Sequence, residues 1–329
     1  MSQKKSVLIT GVAGFIGSNL LKRLLQENFI VIGIDNFSQG CKRNIQEYFK
    51  DKNFTFIKAD VRNEPLLKKQ LQREKIDYLV HLAAYKIPRY GNAMDTLLVN
   101  AKGTESMLNI AKDKNAKFIF TSTSDVYGKN DKLPFSEESN LVLGPSTVKR
   151  WAYASSKIFD EHLCFAFEEK YKLKICILRL FGSYGPNQNL TWWGGPQSVF
   201  INAALRNIPM EIHGNGLQTR SFTYVDDTID GVVRAIKSRK SCGEIFNIGN
   251  NKEISIINLA KLVWKLIRKE EKPKIKFIPY ASFSGKYQDV RRRIPDISKA
   301  NKLLGFMPRV DLREGLLKTI EWQESLVEC

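Results

Sequence analysis

The sequence predicts an α/β protein, a doubly wound parallel sheet followed by a smaller C-terminal lobe. Three observations predict it. Short apolar runs alternate with amphipathic stretches through the first half of the chain. A glycine-spaced turn joins the first apolar run to the first amphipathic stretch. Near residue 180 the alternation gives way to the turn-rich pieces GSYGPNQN, WWGGPQ and HGNG.

The elements follow in order. Residues 7–9, 30–34, 54–57, 78–80, 117–120 and 175–178 are apolar runs of strand length, and near-continuous apolarity marks strands buried on both faces. Between them, residues 18–26, 65–73, 96–112 and 153–171 carry apolar side chains at helical spacing. Further helical segments fall at 198–206, 224–237, 256–269 and 312–325. Residues 1–180 are expected to form the cofactor-binding domain and 181–329 a substrate-binding lobe whose chain returns to the first domain.

Composition narrows the function classes. The 329 residues are 43% hydrophobic and 26% charged, as in an ordinary globular protein. No apolar run approaches the ~20 residues of a membrane span, and MSQKKSVLIT leads straight into a strand without a signal peptide. Five scattered cysteines without a CxxC predict a reduced, cytoplasmic protein. Three separated histidines predict no metal site. The net charge of +18 is dispersed and no nucleic-acid module is present. It is read as a solvated, Lys-rich surface that attracts anionic small molecules, without nucleic acid or membrane as partner.

Residues 7–17, VLITGVAGFIG, place Gly11, Gly14 and Gly17 between a strand and a helix. Glycines there let the backbone approach a pyrophosphate at the helix N-terminus. The second strand ends in Asp35, where a carboxylate can accept from a ribose hydroxyl and would repel a 2′-phosphate. The cofactor is therefore expected to be NAD, bound by a Rossmann-like domain. Asp60-Val61 ends the third strand, either at the adenine edge or as a helix cap, and His81-Leu82-Ala83-Ala84 ends the fourth with small residues a cofactor can lie across.

Tyr153-Ala-Ser-Ser-Lys157 puts a phenol and an ammonium one turn apart on a helix. A free tyrosine has pKa ~10, so an adjacent cation is expected to favour the phenolate as a base for a substrate hydroxyl. Thr123, ending the fifth strand in TSTSDVYG, is placed to bond the same oxygen. The segment Asn187 to Gln197, with Trp192-Trp193, is either a pocket for sugar or base or a packed loop.

Together TGVAGFIGS, HLAA, TSTSDVYG, YASSK, GNGLQTRSFTYVDD and RIPDISKANKLLGF resemble the extended short-chain dehydrogenase/reductases that act as nucleotide-sugar epimerases, dehydratases and decarboxylases. The resemblance covers nearly the whole chain. It implies tight NAD binding, a nucleoside-diphosphate sugar (UDP-linked) as substrate, oxidation at C4 to a 4-keto intermediate, and a homodimer built on helices 96–112 and 153–171. It implies a catalytic set of Thr123, Tyr153 and Lys157, with Ser124 and Asp125 beside it. At the cofactor it places Phe15, Ile16, Asn36, Lys86 and Asn100, besides the residues above. At the substrate it places Lys86, Arg89, Tyr90, Gly182, Arg220 and Arg293.

The residues after Thr123 separate the subclasses. Family dehydratases carry Asp-Glu there, C4-epimerases small or neutral residues, and nucleotide-glucuronate decarboxylases Ser-Glu. Ser124-Asp125 leans towards the last, as do SNLVLGPSTVKRWAYASSK and YQDVRRRIPDI. The expectation is a UDP-glucuronate decarboxylase-like enzyme. A UDP-sugar 4-epimerase, a 4,6-dehydratase and a non-catalytic NAD-binding regulator stay open.

Overall fold

A computed structural model describes residues 4–86, 92–282 and 288–326. Arg89 and Tyr90 lie outside the described residues. The first six strands are β1 (Ser6–Thr10), β2 (Ile30–Asp35), β3 (Phe54–Lys58), β4 (Tyr78–His81), β5 (Lys117–Thr123) and β6 (Ile175–Leu180). They alternate with α1 (Phe15–Gln26), α2 (Glu64–Gln70), α3 (Ala93–Asp113) and α4 (Trp151–Tyr171). The second half adds β7 (Ser183–Tyr184), α5 (Pro196–Leu205), β8 (Met210–His213), β9 (Thr219–Ser221), β10 (Thr223–Tyr224) and α6 (Val225–Lys237). It continues with β11 (Glu244–Ile248), β12 (Glu253–Ser255), α7 (Ile256–Arg268), β13 (Ile275–Ile278), α8 (Ser298–Leu304) and α9 (Leu312–Glu324).

Seven strands form one sheet in the order β11-β6-β5-β4-β1-β2-β3, and every pairing is parallel. The chain leaves β3 and re-enters at β4 on the far side of β1. That reversal opens a crevice at the strand C-termini, where ligands of such sheets bind. The two sheet faces feed two cores. Val7, Ile9, Val31 and Val80 point to one, with α1 and α6; Leu8, Ile32, Leu79, Phe118 and Phe120 point to the other, with Met107 and Leu108 of α3 and Cys164 of α4. Both faces are covered, which is why the strands read as unbroken apolar runs.

Helix starts follow their caps. Asn92 accepts from the Met94 amide, so α3 begins ahead of its apolar periodicity, and Asp311 accepts from the Arg313 and Glu314 amides to open α9. In α6, buried Ile229, Val232, Val233 and Ile236 line one stripe.

Three two-stranded sheets (β10 with β7, β12 with β9, β13 with β8) and α5, α7 and α9 build the lobe. The strand β11 crosses back from the second half to edge the main sheet against β6. No described helix is long and apolar enough to cross a membrane.

Candidate active site

The glycine turn is fixed by close backbone approach. Gly11 has φ +71°, and a Cβ there would come within 3.0 Å of the Ala83 amide nitrogen; at Gly17 it would lie 2.1 Å from the Gly11 carbonyl oxygen. Only glycine lets α1 start this close to β1 and leaves its N-terminus open to an anion. Thr10 Oγ1 accepts from the Leu82 and Ala83 amides (both 3.2 Å) and contacts His81 Nδ1 at 2.7 Å. Burial, with Lys157 adding to it, lowers His81 to about 3, so the imidazole is neutral.

A cleft of about 590 Å³ opens along this edge. Gly11, Gly14, Phe15, Ile16, Gly17, Leu82, Ala84 and Lys86 line it. So do Gln39, Arg43 and Asn44, which sequence reasoning missed because they follow β2 without a motif. An uncluttered glycine turn at a helix N-terminus, flanked by two cations and small strand-end residues, fits a dinucleotide pyrophosphate. The acidic residues sit deeper. Asp35, 7% exposed, accepts from the Ala13 (2.9 Å) and Phe37 (2.7 Å) amides, and burial raises its pKa. Its lone pairs are only partly used, which leaves capacity for a further donor, but its side chain is not among those lining the cleft. Asp60 is gripped by Arg62 at 2.9 and 2.7 Å and by Asn36 at 3.2 Å. It does not cap α2; Asn63 does. Val61 is buried against Gly103. Asn100 accepts from the Tyr85 amide (2.8 Å) and donates to Ser156 Oγ (2.9 Å), which ties the wall after β4 to α4.

The strand β5 delivers Thr123 to the crevice. Its Oγ1 accepts from the Asp125 amide at 3.2 Å and is hydrogen-bonded to the Tyr153 phenol. Burial, reinforced by Asp125, pushes that phenol well above its ordinary value, against the opposing pull of Thr123 and Arg293. The Lys157 ammonium, expected to favour the phenolate, is turned elsewhere. It donates to the Thr121 carbonyl at 3.0 Å and lies 4.5 Å from the centroid of the Phe120 ring, and burial lowers its own pKa. In the protein alone, desolvation therefore keeps Tyr153 neutral.

A second cavity of about 300 Å³ adjoins the first; Lys86, Asp125, Tyr153, Gly182, Trp193 and Arg293 line both. Arg293 donates to Ser124 Oγ (3.2 Å) and to Asp125 (2.7 Å), and Arg150 approaches Asp125 at 3.5 Å. Burial would raise the Asp125 pKa, but these guanidiniums outweigh it and hold the carboxyl at about 2. Arg220, on β9, donates to Asp289 (2.9 Å), which also binds Arg150 (3.1 Å) and the Tyr280 hydroxyl (2.9 Å). Burial lowers Arg220 to about 10, partly offset by Asp289. At Gly182 a Cβ would stand 2.7 Å from the Ser221 carbonyl oxygen, so the close approach of β9 requires glycine there.

The segment from Asn187 to Gln197 is a wall of this site as well as a packed loop. Gln188 braces it, bonding to the Gly194 carbonyl and, at 3.2 Å, to that of Ser183. Trp192 stacks on His213 at 4.2 Å, and Trp193 meets Tyr85 edge-on at 5.6 Å. Arg150, Asp289, His213 and Gln218 also line the second cavity; all four lie within segments quoted above, but none was given a role from the sequence.

Comparison with known proteins bears on the family and the fold. Residues 8–319 match the family model described as GDP-mannose 4,6 dehydratase. The chain is 36% identical over 327 residues to UDP-glucuronic acid decarboxylase 1 of Xenopus tropicalis, covering 99% of this chain and 73% of that protein. It is 33% identical to UDP-N-acetyl-alpha-D-glucosaminuronate decarboxylase of Bacillus cytotoxicus, covering 97% and 98% of the two chains. Among solved structures it resembles UDP-glucuronic acid 4-epimerase from Bacillus cereus, in complex with UDP-glucuronic acid and NAD. The TM-score is 0.86 at 33% identity, over 98% of this chain and 99% of that one.

Proposed function

Because the chain belongs to the GDP-mannose 4,6 dehydratase family, among the extended short-chain dehydrogenase/reductases that modify nucleotide sugars with NAD, we propose that it decarboxylates a UDP-linked hexuronate. The observation that carries this reading is Arg293, which bridges Ser124 and Asp125 directly behind the Thr123–Tyr153 pair. Dehydration needs a proton donor and a base at these two positions. Ser124 is no acid, and a carboxyl held at about 2 donates no proton at neutral pH. Decarboxylation needs no base there: a uronate oxidised at C4 is a β-keto acid, loses carbon dioxide without a strong base, and leaves an enolate that a proton donor or water in a polar pocket protonates at C5.

NAD, when bound, would supply the acceptor for the C4 hydride, a positive charge that favours the phenolate, and the same hydride back to C4 after carbon dioxide is lost. Tyr153 takes the proton of the C4 hydroxyl, and Thr123 holds the same oxygen. Lys157 fixes α4 against β5 through the Thr121 carbonyl. Gly11, Gly14 and Gly17 seat the pyrophosphate with Lys86 nearby, Asp35 meets the ribose, and Arg220 meets the substrate diphosphate.

Asp125 positions Arg293 and Arg150. Asp125→Asn is expected to slow decarboxylation by about 10–10²-fold by loosening both guanidiniums, with NAD retained. Steady-state turnover and cofactor content check this, and unchanged turnover would count against it. The folded pKa of Asp125 is depressed, so its contribution to stability is full above its ordinary 3.8 and is lost as pH falls towards about 2. An acid limb of activity above that window therefore belongs to another group.

A 4-epimerase reading is favoured by the likeness to UDP-glucuronic acid 4-epimerase, since both reactions pass through the same oxidised sugar. Mass spectrometry of products from UDP-glucuronate separates them. Loss of carbon dioxide supports the proposal. An isomer of unchanged mass establishes the epimerase, and loss of water sinks both.

The proposal extends to assembly. Met94, Leu97 and Leu98 of α3 and Phe159 of α4 are exposed apolar side chains on adjacent, mutually packed helices. Burying them in a homodimer removes that surface from water. Light scattering at micromolar concentration is expected to give twice the chain mass; a monomer overturns the dimer. The four described cysteines are unpaired, which suits a cytoplasmic setting.

A further inference from the structure

Asp160 lies on α4 one helical turn beyond Lys157 and two beyond Tyr153, so the three share one stripe of the helix. It is fully buried, and nothing in the reaction above uses it. Neither of its carboxyl oxygens makes a hydrogen bond of ordinary geometry among the described residues. The Thr104 hydroxyl of α3, likewise without one, still favours its ionised form. Burying a carboxyl with so little hydrogen bonding is costly, and such a group calls for a reason.

The charge that answers it is Lys157. That ammonium is buried and donates to the Thr121 carbonyl, and Asp160 is foremost among the groups that favour its charged form. The other charges nearby are engaged. Glu161 is tied to Arg179 of β6 and to Ser122 of β5. Beyond β5, Asp125 is held by Arg293 and the Tyr127 hydroxyl by Asn247. His81 of β4 is neutral, burial keeps Cys164 a thiol, and the buried residues of α3 are uncharged. Asp160 and Lys157 are left as a nearly self-contained pair. At Tyr153 their effects do not add: Asp160 helps push the phenol up, while the ammonium is spent on β5.

We propose that Asp160 is a positioning residue of the catalytic pair, a buried counter-charge that holds the Lys157 ammonium to the β5 side of α4 and offsets its charge at Tyr153. This rests on the reading of Tyr153 as the base and adds the group that sets the strength of that base.

The test compares the unmodified protein with Asp160→Asn in two measurements. The first is the pH profile of kcat and KM on UDP-glucuronate. Removing a negative charge eases ionisation of the phenol, so the rising limb of kcat is expected to move about one pH unit lower, with KM unchanged. The gain, up to about tenfold, appears above about pH 6 and vanishes below it, where Asp160 is neutral in the unmodified protein as well. Asp160→Glu, which returns the charge, restores the original limb. A limb moved to higher pH overturns the proposal, because Asp160 then serves to keep Lys157 charged. A uniform change at every pH, or none, or the same shift in Asp160→Glu overturns it too, because charge is then not the cause.

The second measurement is chemical denaturation of the cofactor-free protein. Burial holds Asp160 at about 6 against an ordinary 3.8, so the folded state binds the extra proton. The unmodified protein should therefore lose stability relative to Asp160→Asn as pH rises from about 4 to about 6, and the gap should hold above that. A gap independent of pH overturns the buried counter-charge. If Asp160→Asn does not fold, Thr104→Val decides: removing the hydroxyl that favours the ionised form shifts the limb the same way by less, and an unmoved limb overturns the proposal. Tyr153→Phe, run alongside, tests the underlying reading separately. Near-normal turnover there removes the base and this proposal with it, whereas an inactive Tyr153→Phe beside an unshifted Asp160→Asn overturns this proposal alone.

Discussion

Tyr153→Phe is expected to lower turnover by about 10²–10⁴-fold, the usual cost of losing a general base. The ring is retained, so the packing of α4 on β5 and the 590 Å³ cleft should survive, and NAD content should be unchanged. What disappears is the phenol hydrogen-bonded to Thr123, the proposed acceptor of the C4 proton. Asp125 does not replace it: a carboxylate whose pKa sits at about 2 is too weak a base. Thr123→Val removes a hydrogen bond and leaves the acceptor, so its cost should be smaller, about tenfold. Steady-state rates with UDP-glucuronate and the absorbance of reduced cofactor after mixing test both variants. Near-normal turnover of Tyr153→Phe would show that the YASSK segment is structural.

The second large effect concerns stability. Arg179→Met is expected to destabilise the fold by about 3–5 kcal/mol, the cost of breaking a buried pair from one side. Arg179 and Glu161 have side chains 4% and 6% exposed and are joined by two bonds, at 2.7 and 3.0 Å. Arg179 also donates to the Tyr127 hydroxyl (3.1 Å) and the Glu137 carbonyl (3.0 Å), and Ser122 donates to Glu161 at 2.5 Å. Removing the arginine strands a carboxylate between β5, β6 and α4. Replacing both partners by methionine should recover much of the loss, because no uncompensated charge is left. Chemical denaturation of the single and double variants measures this. A single variant as stable as the unmodified protein would mean that water or a neighbour satisfies Glu161.

Which parts were legible follows from where their physics is written. The strands β1 to β6 announce themselves because both sheet faces are buried. The strand β11 does not, because Asn247 breaks its apolar run. That side chain is spent on tertiary bonds, from the Tyr127 hydroxyl (2.7 Å) and to the Phe135 carbonyl (2.8 Å). Thr123, Tyr153 and Lys157 are legible because their geometry is local. The direction of the Lys157 ammonium is not, since a backbone carbonyl on another strand sets it. Arg150 and Asp289 look like solvated charges in VKRW and YQDV, and meet only in the folded chain. The available signals were spacing, with Arg150 a helical turn ahead of Tyr153, and the place of both Arg150 and Asp289 in segments that resemble the decarboxylases.

The clamp on the first turn of α4 has a temporal consequence. Arg150 and Trp151 are held by Asp289 and Gln288, 139 and 137 residues further along, and Asp125 by Arg293 across 168 residues. Contacts of such separation close slowly, because a long loop must be ordered before any of them forms. During synthesis the nucleotide cleft therefore takes shape from the early strands while the sugar-side arginines remain unassembled. A chain halted before residue 288 lacks the Asp289 and Arg293 partners of this clamp, and also Trp322, which lines the nucleotide cleft. Catalytic competence is among the last properties this polypeptide acquires.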